Sequence, residues 1–319
     1  MLNKNGLDTT VIVDEVALLG KTKLSSSAQQ VSKPVKTDLD FSPSPAANDS
    51  GLSFTLDAFD NLSTTNTLEP LDSLQLLPIT EIAAKPTISV LGLGYVGAVS
   101  AACFCDLGHS VIGVDPDVSK VATLNRGESP IVEEGLDRLL DNARQVGRLE
   151  AISDPYTAVI DSEITLVCVG TPTAVGGACD LRYLRMAAEQ IGAALAVKDD
   201  YHLVVFRSTV PPKTTRDVLI PILEETSGKC CGKDFGVCFN PEFLRESTAI
   251  SDFYEPPKTV IGAVDQRSSA ALAQLYKGLP GELIETSIEA AEFVKYIDNT
   301  WHGLKVGFGN EVGRLCKAV

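Results

Sequence analysis

The sequence predicts a doubly wound α/β fold followed by one long helix, and three observations predict it. From Thr87 onward, short β-branched runs alternate with amphipathic stretches, the pattern of parallel strands joined by crossover helices. The first run leads into Gly92-Leu93-Gly94-Tyr95-Val96-Gly97, and the second ends in Asp115. The last segment, 287–319, contains no proline and keeps one apolar stripe at helical spacing.

In chain order, residues 1 to about 85 are rich in Ser, Thr, Asn and Asp and include Phe41-Ser42-Pro43-Ser44-Pro45. Such a stretch buries too little apolar surface to offset the entropy of ordering it. A disordered extension is therefore expected at 1–85, the alternative being a docking or regulatory tail that uses short acidic-apolar pieces such as 54–62. Strands are expected at 88–91, 110–114, 165–169, 203–207, 236–239 and 259–264, and helices at 95–107, 118–125, 181–197, 214–225 and 268–279. Thr286-x-x-Glu289 has the form of a capping box opening the last helix. Along it Val294, Ile297, Trp301, Leu304, Phe308, Val312 and Leu315 share a stripe, and at 1.5 Å per residue the helix is about 50 Å long. A helix of that length links domains or forms a dimer seam, so a homodimer is expected. The organisation read is an extension (1–85), an α/β domain (86–286) and the start of a central helix (287–319).

Composition narrows the function. With 44% hydrophobic residues in 319 the chain can bury a sizeable core. A net charge of −15 argues against nucleic-acid or anionic-membrane partners. The eight cysteines have neither paired C-x-x-C units nor histidines at zinc spacing, so no metal is expected. The apolar patch 11–19 is split by Asp14 and Glu15, and no run is long enough to span a membrane. A reduced, cytoplasmic protein is expected.

The glycine run carries the chemistry. Gly92 permits the tight turn, Gly94 lets the backbone approach a pyrophosphate, and Gly97 lets the helix pack close to the strand, with the helix N-terminus facing the anion. Asp115, about twenty residues on, is placed to accept from both ribose hydroxyls and to repel a 2′-phosphate, which makes the fold Rossmann-like and the cofactor NAD rather than NADP.

Four further motifs, read with Gly92 to Gly97, make the resemblance specific: Val169-Gly170-Thr171-Pro172-Thr173, Arg207-Ser208-Thr209-Val210, Asn240-Pro241-Glu242-Phe243-Leu244-Arg245-Glu246 and Asn299-Thr300-Trp301-His302. Together they resemble the UDP-glucose/GDP-mannose dehydrogenase family over 86–319, and the last, with Asn310-Glu311, is most similar to its GDP-mannose branch. The resemblance implies a four-electron oxidation of a nucleotide-sugar alcohol to a carboxylate, GDP-mannose to GDP-mannuronate, by way of a cysteine thioester. It also implies that Tyr95, Val96, Lys120, Thr171 and Thr209 join the glycines and Asp115 in the cofactor site. Lys295 and Asn299, one helical turn apart, then hold an oxyanion or activated water. Glu242 acts in proton transfer or water positioning, Thr209 holds a water, and Glu246, Lys295, Asn299, His302 and Asn310 contact the nucleotide sugar.

Two departures stand out. Where the family has Pro-Gly-Thr this chain has Pro212-Lys213-Thr214, which puts close backbone approach there in question. None of the eight cysteines stands in the family's Cys-x-Pro-Lys-Asp context. Cys103, Cys168 and Cys238 are expected to be core thiols and Cys230-Cys231 a surface pair, and the chain is expected to be an incomplete, inactive member. The alternatives are UDP-glucose as substrate, a β-hydroxyacid dehydrogenase, whose lysine and asparagine are one residue closer, and a non-catalytic NAD-binding regulatory protein.

Overall fold

The structure is a computed structural model that describes residues 85–319; the expected extension and its 54–62 piece lie outside the described residues. The strands are β1 (Ile88–Leu91), β2 (Val111–Val114), β3 (Leu149–Ile152), β4 (Ile164–Val167), β5 (His202–Phe206), β6 (Phe235–Phe239), β7 (Lys258–Ala263) and β8 (Glu282–Thr286). They form one sheet in the order β3-β2-β1-β4-β5-β6-β7-β8, with the direction of winding reversing between β1 and β4. The helices are α1 (Tyr95–Asp106), α2 (Val118–Asn125), α3 (Leu136–Gln145), α4 (Pro155–Ile160), α5 (Arg182–Val197), α6 (Ile220–Ser227), α7 (Ala249–Tyr254), α8 (Gln266–Leu275) and α9 (Ile288–Ala318).

The central strands are apolar because both faces are covered. On β5, Leu203 and Val205 enter one core with α1, α3, α7 and α8, while Val204 and Phe206 enter the other with α4, α5 and α6. A polar seam crosses this apolar sheet. Ser89 and Thr165 hydroxyls lie 2.7 Å apart, Thr165 meets His202 Nε2 at 2.7 Å, and His202 Nδ1 lies 3.1 Å from the Ser162 carbonyl.

Several expectations are corrected. There are eight strands among the described residues rather than six: β3 and β8 are short and partly exposed, so their apolar alternation is weak in the sequence. The sheet is not wholly parallel, because β7 runs antiparallel to β6. That pairing needs no crossover, so residues 240–257 stay at the carboxyl end of β6. The expected helix at 214–225 begins as a π-helical turn, Thr215–Leu219, before α6. The expected helix at 268–279 lies earlier, as α8, because Asp265 caps it by accepting from Ser268 N. The last helix is capped by Ser287, which accepts from Ala290 N, while Thr286 belongs to β8.

Beyond Lys295 the side chains of α9 are largely uncovered. Ile297, Trp301, Leu304, Phe308, Val312 and Leu315 are all exposed, so the expected stripe exists as a bare apolar face. No helix among the described residues is long and apolar enough to cross a membrane.

Candidate active site

The site is built at the carboxyl ends of β2, β1, β4 and β5, over the point where the winding of the sheet reverses. Gly92 takes a left-handed φ of +93°, and a Cβ there would lie 2.9 Å from the Cys168 carbonyl oxygen. A Cβ on Gly97 would lie 1.8 Å from the Gly92 carbonyl oxygen, so this glycine closes α1 against the turn. At Gly94 a Cβ would meet nothing within 4 Å, so that face of the turn is open. The three glycines do different physical work: two pack protein on protein, and one leaves room for a ligand.

Asp115 is 5% exposed and accepts from Leu93 N (2.9 Å), Asp117 N (3.0 Å) and Lys120 Nζ (3.2 Å). It therefore anchors the glycine turn as well as facing the cleft, and Lys120 balances part of its charge. The cleft holds about 630 Å³ and is lined by Gly92, Gly94, Tyr95 and Val96 at its centre. Asp115 and Lys120 line it on the β2 side, with Thr171 after β4, Arg207 and Thr209 after β5 and Glu242 after β6 on the other. Thr171 Oγ1 donates to the Thr209 carbonyl at 2.8 Å, joining the two strand-end loops. Gly97 is not among the lining residues; its place is behind the turn.

On the far side the long helix meets the site through Glu242, and Lys295 itself is not among the lining residues. Lys295, 5% exposed, pairs with Glu242 at 2.9 Å, bringing the α9 ammonium to the loop after β6. One turn earlier the buried Glu292 carboxylate accepts from Lys213 N (2.6 Å) and Thr215 N (2.8 Å). Burial pushes the Glu292 carboxyl above its ordinary range. Lys213 itself has φ +74°, so the lysine in the glycine position of Pro212-Lys213-Thr214 keeps the left-handed turn despite its side chain, and Glu292 secures it.

Arg207, buried in the cleft lining, donates to Asn240 Oδ1 (2.6 Å) and bonds Tyr276. Its Nε has no partner among the described residues. Sequence reasoning missed Glu133, Glu292 and Tyr276, because each acts on residues distant in the chain and no local motif marks it.

The family model for the UDP-glucose/GDP-mannose dehydrogenase NAD-binding domain matches residues 86–280. This chain belongs to that family. GDP-mannose 6-dehydrogenase of Pseudomonas aeruginosa is 50% identical over 232 residues, 73% of this chain and 53% of the relative. UDP-glucose 6-dehydrogenase of Haloferax volcanii is 42% identical over 236 residues, 72% of this chain and 54% of that protein. Among solved structures, a ternary complex of GDP-mannose dehydrogenase from P. aeruginosa aligns with a TM-score of 0.70 at 50% identity, over 71% of this chain and 52% of that one. The chain thus spans about half the length of the curated relatives it matches.

The remaining expected site residues divide by position. Glu242 and Lys295 are brought together, while Glu246, Asn299, His302 and Asn310 are exposed and line no part of the cleft. The cysteines are all unpaired. Cys103 and Cys238 are core thiols as expected, and burial pushes the Cys103 thiol up to about 12. Cys168 is not, since it is only half-buried and lines the cleft, although burial still raises its thiol to about 11. Cys230-Cys231 is not a surface pair: Cys230 is exposed, but Cys231 is half-buried against the core and burial raises its thiol to about 12.

Proposed function

We propose that this chain provides the cofactor half of an NAD-dependent dehydrogenase oxidising the primary alcohol of a nucleotide sugar, GDP-mannose foremost, to a carboxylate. The observation that carries this reading is the Lys295–Glu242 pair, whose Glu242 lines the cleft on the opposite side of the glycine turn from Asp115. Asp115, the open face at Gly94 and the amino end of α1 fit a dinucleotide with a free ribose pair. Bound NAD would supply the hydride acceptor.

The chain's own groups would serve the first two-electron step, alcohol to aldehyde, while the second, aldehyde to carboxylate, requires a second NAD, a water and a nucleophilic thiol. Glu242 would receive the proton of the alcohol, and the Lys295 ammonium 2.9 Å away would stabilise negative charge on the same substrate oxygen. Low solvent exposure strengthens both effects. Asn299, one turn along α9, would present its amide to substrate or water, with His302 and Asn310 contacting the nucleotide farther out. Residues 86–286 would form the cofactor domain and α9 a homodimer seam, which sedimentation velocity would check. The unpaired thiols fit a reducing, cytoplasmic setting.

The test is NADH formation by the whole gene product with GDP-mannose and with UDP-glucose, followed by mass analysis of the sugar. A carboxylate formed from GDP-mannose in preference to UDP-glucose is the expected result. The opposite preference would reassign the substrate, and no reduction with either would refute the reading.

A further inference from the structure

We infer that Glu133 couples occupancy of the glycine turn to the order of the segment that carries Glu242; the inference rests on the cleft being an NAD site. Glu133 lies between α2 and α3, is 7% exposed and does not line the cleft. Its Oε2 accepts from Tyr95 OH at 2.6 Å and from Ser247 N at 2.9 Å, and its Oε1 accepts from Ala249 N at 2.8 Å. Tyr95, the first residue of α1, lines the cleft beside Gly94. Its hydroxyl also reaches the Arg245 carbonyl at 3.1 Å and accepts from Ser247 N at 3.1 Å. One carboxylate and one phenol therefore join the glycine turn to the amides at the end of the Glu242 loop.

The chemistry suits a coupler rather than a proton carrier. Burial and the Glu133 carboxylate raise the Tyr95 phenol, so it stays a donor at any working pH. Ser247 holds φ +73°, a left-handed conformation that a serine keeps only where its surroundings over-determine it. The surroundings here are Glu133 and Tyr95. At the other end of the loop Glu242 is held by Lys295, so ordering the 245–249 end steadies Glu242 in the pair. A dinucleotide that restricts the Tyr95 ring restricts Ser247 and Ala249 through Glu133, and by linkage an ordered loop favours the dinucleotide. Glu133 is thus a positioning residue for Glu242.

Hydrogen exchange of peptides covering 242–249 reads the coupling directly, in the full chain with and without saturating NAD. Coupling of the usual size slows exchange by about 5- to 150-fold in the wild type, and Glu133→Gln shrinks the NAD-dependent slowing to under about twofold. Calorimetry on the same samples establishes that NAD is bound. Bound NAD with no slowing in the wild type, or undiminished slowing in Glu133→Gln, overturns the coupling. Failure of NAD to bind the wild type overturns the reading of the cleft and this inference with it. If Glu133→Gln does not fold by circular dichroism, Tyr95→Phe at saturating NAD decides, since it removes only the hydroxyl: lost slowing supports the link and retained slowing refutes it.

Discussion

Gly94 and Gly97 look alike in the sequence, yet adding one methyl to each should have opposite consequences. In Gly97→Ala the new Cβ would stand 1.8 Å from the Gly92 carbonyl oxygen, against about 3.3 Å for a close carbon–oxygen contact. Restoring that distance requires α1 to move about 1.5 Å from the turn. Neither neighbour yields easily, because Gly92 also lies against the Cys168 backbone. Overpacking typically costs about 1–3 kcal/mol, and a clash with fixed backbone belongs at the upper end. At about 2–4 °C per kcal/mol for a domain of this size, Tm falls by about 6–12 °C. In Gly94→Ala the Cβ meets nothing within 4 Å and the backbone is extended at φ −76°, so stability changes by less than about 0.5 kcal/mol. The methyl instead occupies the ligand's space, and NAD should weaken at least about tenfold through lost contacts to the pyrophosphate. Thermal circular dichroism and calorimetric titration of both variants make the test. Gly97→Ala melting within about 1 °C of wild type, or Gly94→Ala binding NAD within about twofold, would refute the division of labour.

Three other outcomes are expected. Asp115→Asn should weaken NAD by about 10- to 100-fold and narrow its preference over NADP, as measured by calorimetry; asparagine suits the test better than alanine because Asp115 also holds Leu93 N. Lys213→Gly should stabilise the chain by about 1 kcal/mol in denaturant unfolding, because glycine adopts φ +74° without the side-chain penalty; unchanged or lower stability would show the turn is not strained. Burial holds His202 down at about 3, below its ordinary 6.5, so the unfolded chain binds more protons between those values and stability falls as pH drops through that window. His202→Gln should lower the slope of stability between about pH 6 and pH 5 by up to about 1.4 kcal/mol per unit, with His109, also held down by burial, leaving a residual slope.

Local regularities made much of the fold legible. Alternating apolar runs, the glycines before α1, the acid at 115 and the 3.6-residue stripe are contained within short windows, where backbone sterics and side-chain period act directly. Other local signals were present but unread. Leu136, Leu139, Leu140 and Ala143 mark the buried face of α3, and Asp154-Pro155 caps α4. β8 was harder, since an exposed edge strand such as Glu-Leu-Ile-Glu-Thr lacks the apolar density of a central one.

The sequence by itself determined the glycine turn before α1 and the acid that follows β2, because each glycine answers to a steric demand of the turn it stands in. Only the tertiary structure decided which polar groups meet. Lys295 reaches Glu242, Glu292 caps the turn at Lys213, and Glu133 gathers Tyr95, Ser247 and Ala249, each across a long stretch of chain. The reversal of β7 and the path of α9 set those meetings, and a buried carboxylate must find its donors wherever packing has put them.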